Sequence, residues 1–271
     1  MGLLVTARKV KVSNDLVRCA QKLRLSEKRL LMLVVTKVTS DNIDSEIPVT
    51  AIEYAEFYNV DRKSCYQTMV AAHKKLWSRD FVMDGKLRRW VITCEYQHGE
   101  GCVSIRIHPD MKEHVVDLKE CYTQYYLRRA GEFKLIYSWR LFEQLMRCRT
   151  TGKFRISLAD FKVIHEVPAS YSRDFSQVRH KVINPAMKEI RASGLPVKLT
   201  TFKKGRAVDM LEFTFPQEQQ RDWVKALAKN GGKQGITKKY IEKHAKPGES
   251  YSEAQERLQR ELDNQQKAAN G

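Results

Sequence analysis

One order of local signals occurs twice along this chain, and the repetition predicts an α+β fold of two tandem winged helix-turn-helix domains of similar topology. Each copy reads as a capped short helix, a turn, a longer helix with one apolar face, and a hairpin with a basic tip. The copies begin near residues 47 and 154. Charge is the other observation: 49 lysines and arginines stand against 32 acidic residues, a formal net charge of +17 over 271 residues. The expected division is 1–122 for an N-terminal domain, 123–217 for a C-terminal domain and 218–271 for a basic, flexible tail.

The chain from Ser13 to Val38 reads as helical with a break. Leu16, Ala20 and Leu23 share one face, and Ser26 is the expected cap of a second helix rich in leucine and valine. Leu16, Leu23 and Leu30 are seven apart, but so short and broken a run reads as core rather than as a zipper. Thr50-Ala51-Ile52-Glu53 is a capping box opening a helix through Phe57, and Asn59-Val60-Asp61 supplies a turn and the next cap. The helix from Arg62 to about Trp77 aligns Cys65, Met69, Ala72 and Leu76, with Arg62, Lys63, Gln67, Lys74 and Lys75 on other faces. Phe81-Val82-Met83, an Asp84-Gly85 turn and a strand from Arg88 to Cys94 follow, with Lys86, Arg88 and Arg89 as the expected wing. Val103–Ile107 alternates as a further strand.

In the second copy a helix from about Leu135 to Arg147 leads to a Gly152 turn and the strand Phe154-Arg155-Ile156. Ser157 and Asp160 resemble a second capping box, opening a helix through Ile164. A long helix is expected from about Ser172 to Arg191, with Phe175, Val178, Val182, Ala186 and Ile190 apolar and Arg173, Gln177, His180, Lys181, Asn184 and Lys188 opposite. Pro185 lies inside it and predicts a kink near Asn184. Strands Val197–Phe202 and Ala207–Phe215 flank the turn Lys203-Lys204-Gly205-Arg206.

The positive excess favours a polyanionic partner, because each neutralised phosphate releases condensed counterions. No stretch approaches the roughly 20 consecutive apolar residues of a helical span. The start, MGLLVTARKVKVSND, carries no secretory pattern, and Gly2 with Thr6 fits a myristoylation pattern only loosely. Cys19, Cys65, Cys94, Cys102, Cys121 and Cys148 include no CxxC pair, so reduced, buried thiols are expected rather than zinc ligands. A nicking initiator of the rolling-circle class would want closely spaced histidines beside a tyrosine. His73, His98, His108, His114, His165, His180 and His244 contain no His-x-His pair, so Tyr125-Tyr126 reads as packing. GxxxxGK[ST], GxSxG and HExxH are absent from the sequence, and no catalytic residue, metal or cofactor is expected.

SNDLVRCAQKLRLSEKRLL, AIEYAEFYNVDRKSCYQTMVAAHKKLWSR, RRWVITCEYQHGEGCVSIRIHPDM, YSWRLFEQLMRCR and VRHKVINPAMKEIRASGLPVKLTTFKKGRAVDMLEFTF occur in that order. Together they resemble the winged-helix replication initiators of theta-replicating, iteron-containing plasmids, over about Ser13 to Phe215. The resemblance implies double-stranded DNA as partner, at origin direct repeats and at the chain's own operator. It also implies a monomer–dimer equilibrium, autorepression, origin opening, recruitment of host initiator and helicase, and a bacterial cytoplasmic setting without membrane contact. A transcriptional repressor built on the same fold is the alternative. Arg179, His180 and Lys181 match the family's basic triplet, with histidine for the middle arginine, and Phe142 stands where the family has tyrosine. Recognition-helix candidates are therefore Arg173, Gln177, Arg179, His180 and Lys181; wing candidates are Lys203, Lys204 and Arg206. The first domain offers Arg62, Lys63, Gln67, Lys86 and Arg88.

Overall fold

A computed structural model describes residues 8–97 and 99–217, without the side chains of Arg62 and Lys63. The Gly2/Thr6 pattern, His98, His244 and the expected tail 218–271 lie outside the described residues. The chain opens with β1 (Lys9–Ser13), then α1 (Asn14–Arg18) and α2 (Leu25–Val35). Ser13 caps α1, its hydroxyl accepting from the Leu16 N–H. Ser26 does not cap α2. The helix starts one residue before it, and the Glu27 carboxylate instead accepts the Arg24 N–H at 2.9 Å. Leu16, Leu23 and Leu30 are all core, at most 2% exposed.

The N-terminal winged helix comprises β2 (Ile47–Thr50), α3 (Ala51–Tyr58), α4 (Arg62–Leu76), β3 (Asp80–Met83), β4 (Lys86–Arg89), β5 (Val91–Gln97) and β6 (Cys102–Ile107). Thr50 caps α3 by accepting the Glu53 N–H, and Asn59, in the left-handed region at φ 49°, ends it. The reciprocal half of the expected capping box is not made, because Glu53 binds Arg8 and Lys37 instead. Asp61 caps α4, whose Cys65, Met69, Ala72 and Leu76 are buried as the periodicity predicts. The expected strand Arg88–Cys94 is two strands. β4 pairs with β3 across a turn in which Asp84 and Gly85 both have positive φ, as a type I′ hairpin requires. After the fully buried Trp90, β5 leaves that ribbon and pairs with β6 in the sheet β2-β6-β5. The true wing of this domain is thus the β5–β6 turn, and β3–β4 is an extra hairpin ahead of it.

A short 3-10 turn and α5 (Lys112–Val115) lead to β7 (Tyr122–Tyr126), α6 (Leu127–Gly131) and α7 (Ile136–Arg147). β7 returns to pair with β1, a strand that the sequence reading did not anticipate. Val10, Val12, Thr123 and Tyr125 face inward from this ribbon. The C-terminal winged helix follows: β8 (Lys153–Ser157), α8 (Leu158–Ile164), α9 (Ala169–Ser172), α10 (Phe175–Val178), a π-helical turn Arg179–Ile183, α11 (Asn184–Ala192), β9 (Lys198–Lys204) and β10 (Ala207–Thr214). Its sheet order, β8-β10-β9, matches β2-β6-β5, so the two domains share one topology.

α7 joins the two halves. Glu143, 2% exposed, takes Lys28 Nζ at 2.9 Å and the Tyr125 hydroxyl at 2.6 Å, and Trp139 Nε1 donates to that hydroxyl at 3.0 Å. Burial pulls the Lys28 ammonium below its usual range while Glu143 opposes the shift. Burial also pushes the Tyr125 hydroxyl well above the tyrosine range. Gln144 donates to the Val17 carbonyl at 2.7 Å, and Arg140 donates to the carbonyls of Leu23 and His165 and to Glu166. All six cysteines are free, and burial raises the Cys19 and Cys94 thiols to about 12.

Removing one member of the buried pair strands the other. Glu143→Ala is expected to cost about 3–5 kcal/mol, and the double change Lys28→Met, Glu143→Leu to recover most of it, in urea denaturation followed by circular dichroism. A second expectation concerns acid. His165 is fully buried, and burial first, then the Arg140 charge, lowers its pKa from 6.5 to about 3. Below pH 6.5 the unfolded chain takes up a proton that the native state refuses, so stability complete above 6.5 falls progressively toward pH 3. The loss is about 2 kcal/mol at about pH 5, and His165→Gln should flatten melting curves between about pH 5 and 7. Burial lowers His114 too, so a smaller slope of the same sign remains.

Candidate nucleic-acid interface

In the C-terminal domain the structure assembles one exposed polar surface from a helix and a hairpin. The helix runs from α10 through the π turn into α11, with Val178, Val182, Ile183, Ala186, Met187 and Ile190 buried beneath it. Asp174 caps it, its carboxylate accepting the Ser176 N–H at 3.0 Å, so the helix starts three residues later than expected. Arg173 therefore sits in the link after α9, exposed, and not on the recognition helix itself. Gln177, Arg179, His180 and Lys181 are exposed on the helix, joined by Asn184 and Lys188. Glu189, on the same helix, accepts the N–H groups of Lys134 and Leu135 at 3.1 and 3.3 Å, which fastens α11 to the start of α7.

The hairpin is β9–β10, with Lys203 opposite Val208 and Lys204 opposite Ala207. Gly205 takes φ 64°, and Lys203, Lys204 and Arg206 are all exposed at the tip. Among the described residues, none of the eight recognition-helix and wing candidates is held by a side-chain hydrogen bond or ion pair. They are six lysine and arginine cations, one amide and one imidazole left without an internal partner, the arrangement that phosphate and base edges can use. Sequence reasoning missed two neighbours of the wing. Arg155 of β8 lays its guanidinium 4.7 Å from the ring centroid of Phe202, which is 38% exposed. The signal was available in the alternation of β8, where Lys153 and Arg155 are exposed and Phe154 and Ile156 buried.

The N-terminal domain is organised differently. Gln67 is exposed on α4, while Arg62 and Lys63 occupy its first turn. Lys86 is exposed on β4, but Arg88 turns inward, donating to the Asp110 carbonyl at 3.1 Å and lying 3.5 Å from Glu113. Arg89 is bound to Asp80 at 2.7 Å, and that bond raises its pKa. The wing itself, over its described residues Gly99–Gly101, carries Glu100 and no lysine or arginine. Its Gly101 lies against the Tyr66 ring, so close that a Cβ there would meet Tyr66 at 2.5 Å. Among the described residues, no helix is long and apolar enough to cross a membrane, and no group of three or more histidine, cysteine or acidic side chains could hold a metal ion.

Two domains of one winged-helix topology, the second with an exposed helix and a cationic hairpin tip, define a tandem winged-helix protein. Family profiles for "Initiator Replication protein, WH1" and "Initiator Rep protein, WH2" match residues 9–146 and 157–215. The chain belongs to this initiator replication protein family. It is 24% identical over 195 residues to an Escherichia coli "Replication initiation protein", covering 68% of this chain and 60% of that protein. The chain therefore spans somewhat less than two thirds of that relative's length. An Escherichia coli "Uncharacterized 27.6 kDa protein" is 22% identical over 201 residues, covering 67% of this chain and 84% of that one. The fold is also that of the Pi initiator protein solved in complex with iteron DNA, with a TM-score of 0.70 at 17% identity, over 79% of this chain and 99% of that one.

The wing and helix candidates predict different losses. Lys203→Ala should weaken binding to every duplex alike and flatten the dependence of log K on log salt by about one unit. Gln177→Ala should instead cost about 1–3 kcal/mol on the preferred duplex and little on random DNA. Fluorescence anisotropy across a salt series separates the two, and equal losses on both DNAs for every helix variant would sink the recognition-helix assignment.

Proposed function

We propose that this chain initiates plasmid replication by binding short direct repeats, iterons, at an origin. The observation that carries the reading is the set of internally unpartnered polar side chains on the C-terminal winged helix of a replication-initiator family member. The helix from Phe175 enters the major groove, where Gln177, His180 and Lys181 read base edges, while Lys203, Lys204 and Arg206 grip neighbouring phosphates. Arg173 and Arg179, at the rim of the helix, position the complex on the backbone. A solved relative of the same fold is described as bound to iteron DNA, which supports the assignment of ligand.

The N-terminal domain contributes secondary DNA contacts through Arg62, Lys63, Gln67 and Lys86 and provides the dimer contact, with Arg88 structural. Residues 1–122, 123–217 and 218–271 are the working division of these roles. The chain acts by binding alone, in the bacterial cytoplasm. It needs no catalytic residue, metal or cofactor. As a monomer it helps open the origin and recruits host initiator and helicase; as a dimer it represses its own promoter.

The test is a titration against the direct repeats upstream of the chain's own gene, with scrambled duplex as control, at two salt concentrations. A preference of about 4 kcal/mol or more, with a steep salt slope, is expected for a specific origin binder. Equal binding to both would remove the reading. An origin-dependent plasmid should then be lost when the Lys203, Lys204 and Arg206 cations are replaced together, whereas unchanged copy number would leave a repressor.

A further inference from the structure

The recognition helix is not uniformly α-helical. Between α10 and α11 the five residues Arg179–Ile183 form a π turn, and the Asn184 N–H reaches back to the Arg179 carbonyl, five residues earlier. The next residue is Pro185. In a continuous α-helix the N–H at that position would bond the Lys181 carbonyl; proline has no N–H, and its ring would press on that same carbonyl. A wider turn moves the carbonyl away. The expected kink is thus realised as one extra residue per turn.

That extra residue changes which side chains line up. Val178 and Ile183, five apart, are both fully buried. On a regular α-helix residues five apart diverge by about 140°, so one of them would turn toward solvent. The π turn closes that gap. It therefore also rotates everything before it, Gln177 included, by about 100° relative to Asn184 and Lys188 behind it. The rear half cannot follow, since Ala186, Met187 and Ile190 are buried and Glu189 is bound to the start of α7. The basic triplet Arg179-His180-Lys181 lies wholly within the turn.

We propose that Pro185 is a positioning residue for sequence specificity: by enforcing the π turn it sets the angle between the front and rear halves of the base-reading face. This rests on the DNA-reading role of the helix argued above. Pro185 touches no base. Its replacement restores an α-helical hydrogen bond, swings Gln177 and the triplet away from the rear half, and leaves the wing cations untouched.

The experiment uses the full chain and a fluorescent duplex selected from a random library by the wild-type protein, with a scrambled duplex as control. Pro185→Ala and Pro185→Gly are each expected to lose about tenfold or more of the preference for the selected duplex, the size of one good base contact. Affinity for scrambled DNA and the salt slope should change by no more than the single phosphate contact assigned to Arg179, about one unit of slope. Gln177→Ala should lower the preference in the wild-type background and have no effect beside Pro185→Ala, whereas Lys188→Ala should act equally in both. In the wild-type protein a through-hydrogen-bond NMR coupling should link the Asn184 amide to the Arg179 carbonyl. Coupling to the His180 carbonyl, or full preference in Pro185→Ala with Gln177 still counting, overturns the proposal. Loss of cooperative melting in both proline variants overturns it as well, since Pro185 would then serve the fold rather than the reading face. A wild-type protein that selects no duplex fails earlier, at the DNA-reading role itself.

Discussion

Glu143 sits in the middle of α7 with 2% of its surface exposed, and a carboxylate can stay charged there only if protein donors replace water. Lys28 comes from α2, Tyr125 from β7, and Trp139 from one turn back on α7 holds the tyrosine. Those donors come from segments nearly a hundred residues apart, so the carboxylate is satisfied only when α2, the β1–β7 ribbon and α7 have all arrived. Gln144 and Arg140, neighbours on the same helix, then bind carbonyls at Val17, Leu23 and His165. One helix therefore fixes the N-terminal helices on one side and the turn after α8 on the other. Through Glu189 the residues just before it also hold α11.

The two winged helices share a topology and differ in how they use charge. In the first, arginines are consumed internally: Arg79 chelates Glu27 at 2.8 and 2.9 Å, Arg89 takes Asp80, and Arg88 faces Asp110 and Glu113. Its wing carries an acid. In the second, the wing cations and the exposed helix face have no partner within the protein. A cation already paired gains little by meeting a phosphate, whereas a free one adds counterion release. The difference in bonding, more than the difference in sequence charge, supports the proposed reading role of the second domain.

Much of this was legible because it is local. The caps at Thr50, Asp61 and Ser157, the αL turn at Asn59 and the Asp84-Gly85 hairpin are each decided by a few adjacent residues, and each forms. What was not legible depends on distant partners. β1 exists because β7 lies beside it, and nothing within KVKVS announces that. The stretch Arg88–Cys94 contains no glycine, proline or other turn residue to mark a break, yet its halves find different partners on either side of Trp90. From that came the misplaced wing. The Glu53 and Ser26 caps failed for a related reason: long-range cations claimed the Glu53 carboxylate, and Glu27 shifted the start of α2. At Pro185 the sequence announced a disturbance, but its form, a π turn with Val178 and Ile183 both buried, emerges only in the folded helix.

Base reading and phosphate gripping, the roles proposed for the C-terminal helix and wing, place opposite demands on rigidity, and the packing of this domain suits both. A base edge must be met to within a fraction of an ångström, so its reader has to stand on packed structure. The helix does, over Val182 and Ile183, beside a core in which the Phe154, Phe213 and Phe161 rings stack at 5.9 and 6.1 Å. A phosphate contact carries no sequence information and tolerates movement. The wing cations accordingly sit at the end of the hairpin, Lys203 and Lys204 on the last paired positions of β9 and Arg206 in the glycine turn, on side chains with several free torsions. Between them the Arg155–Phe202 contact stiffens the base of the hairpin without reaching its tip. Precision is thus concentrated where the helix meets the core, and that is also where the chain places its one proline within the helix.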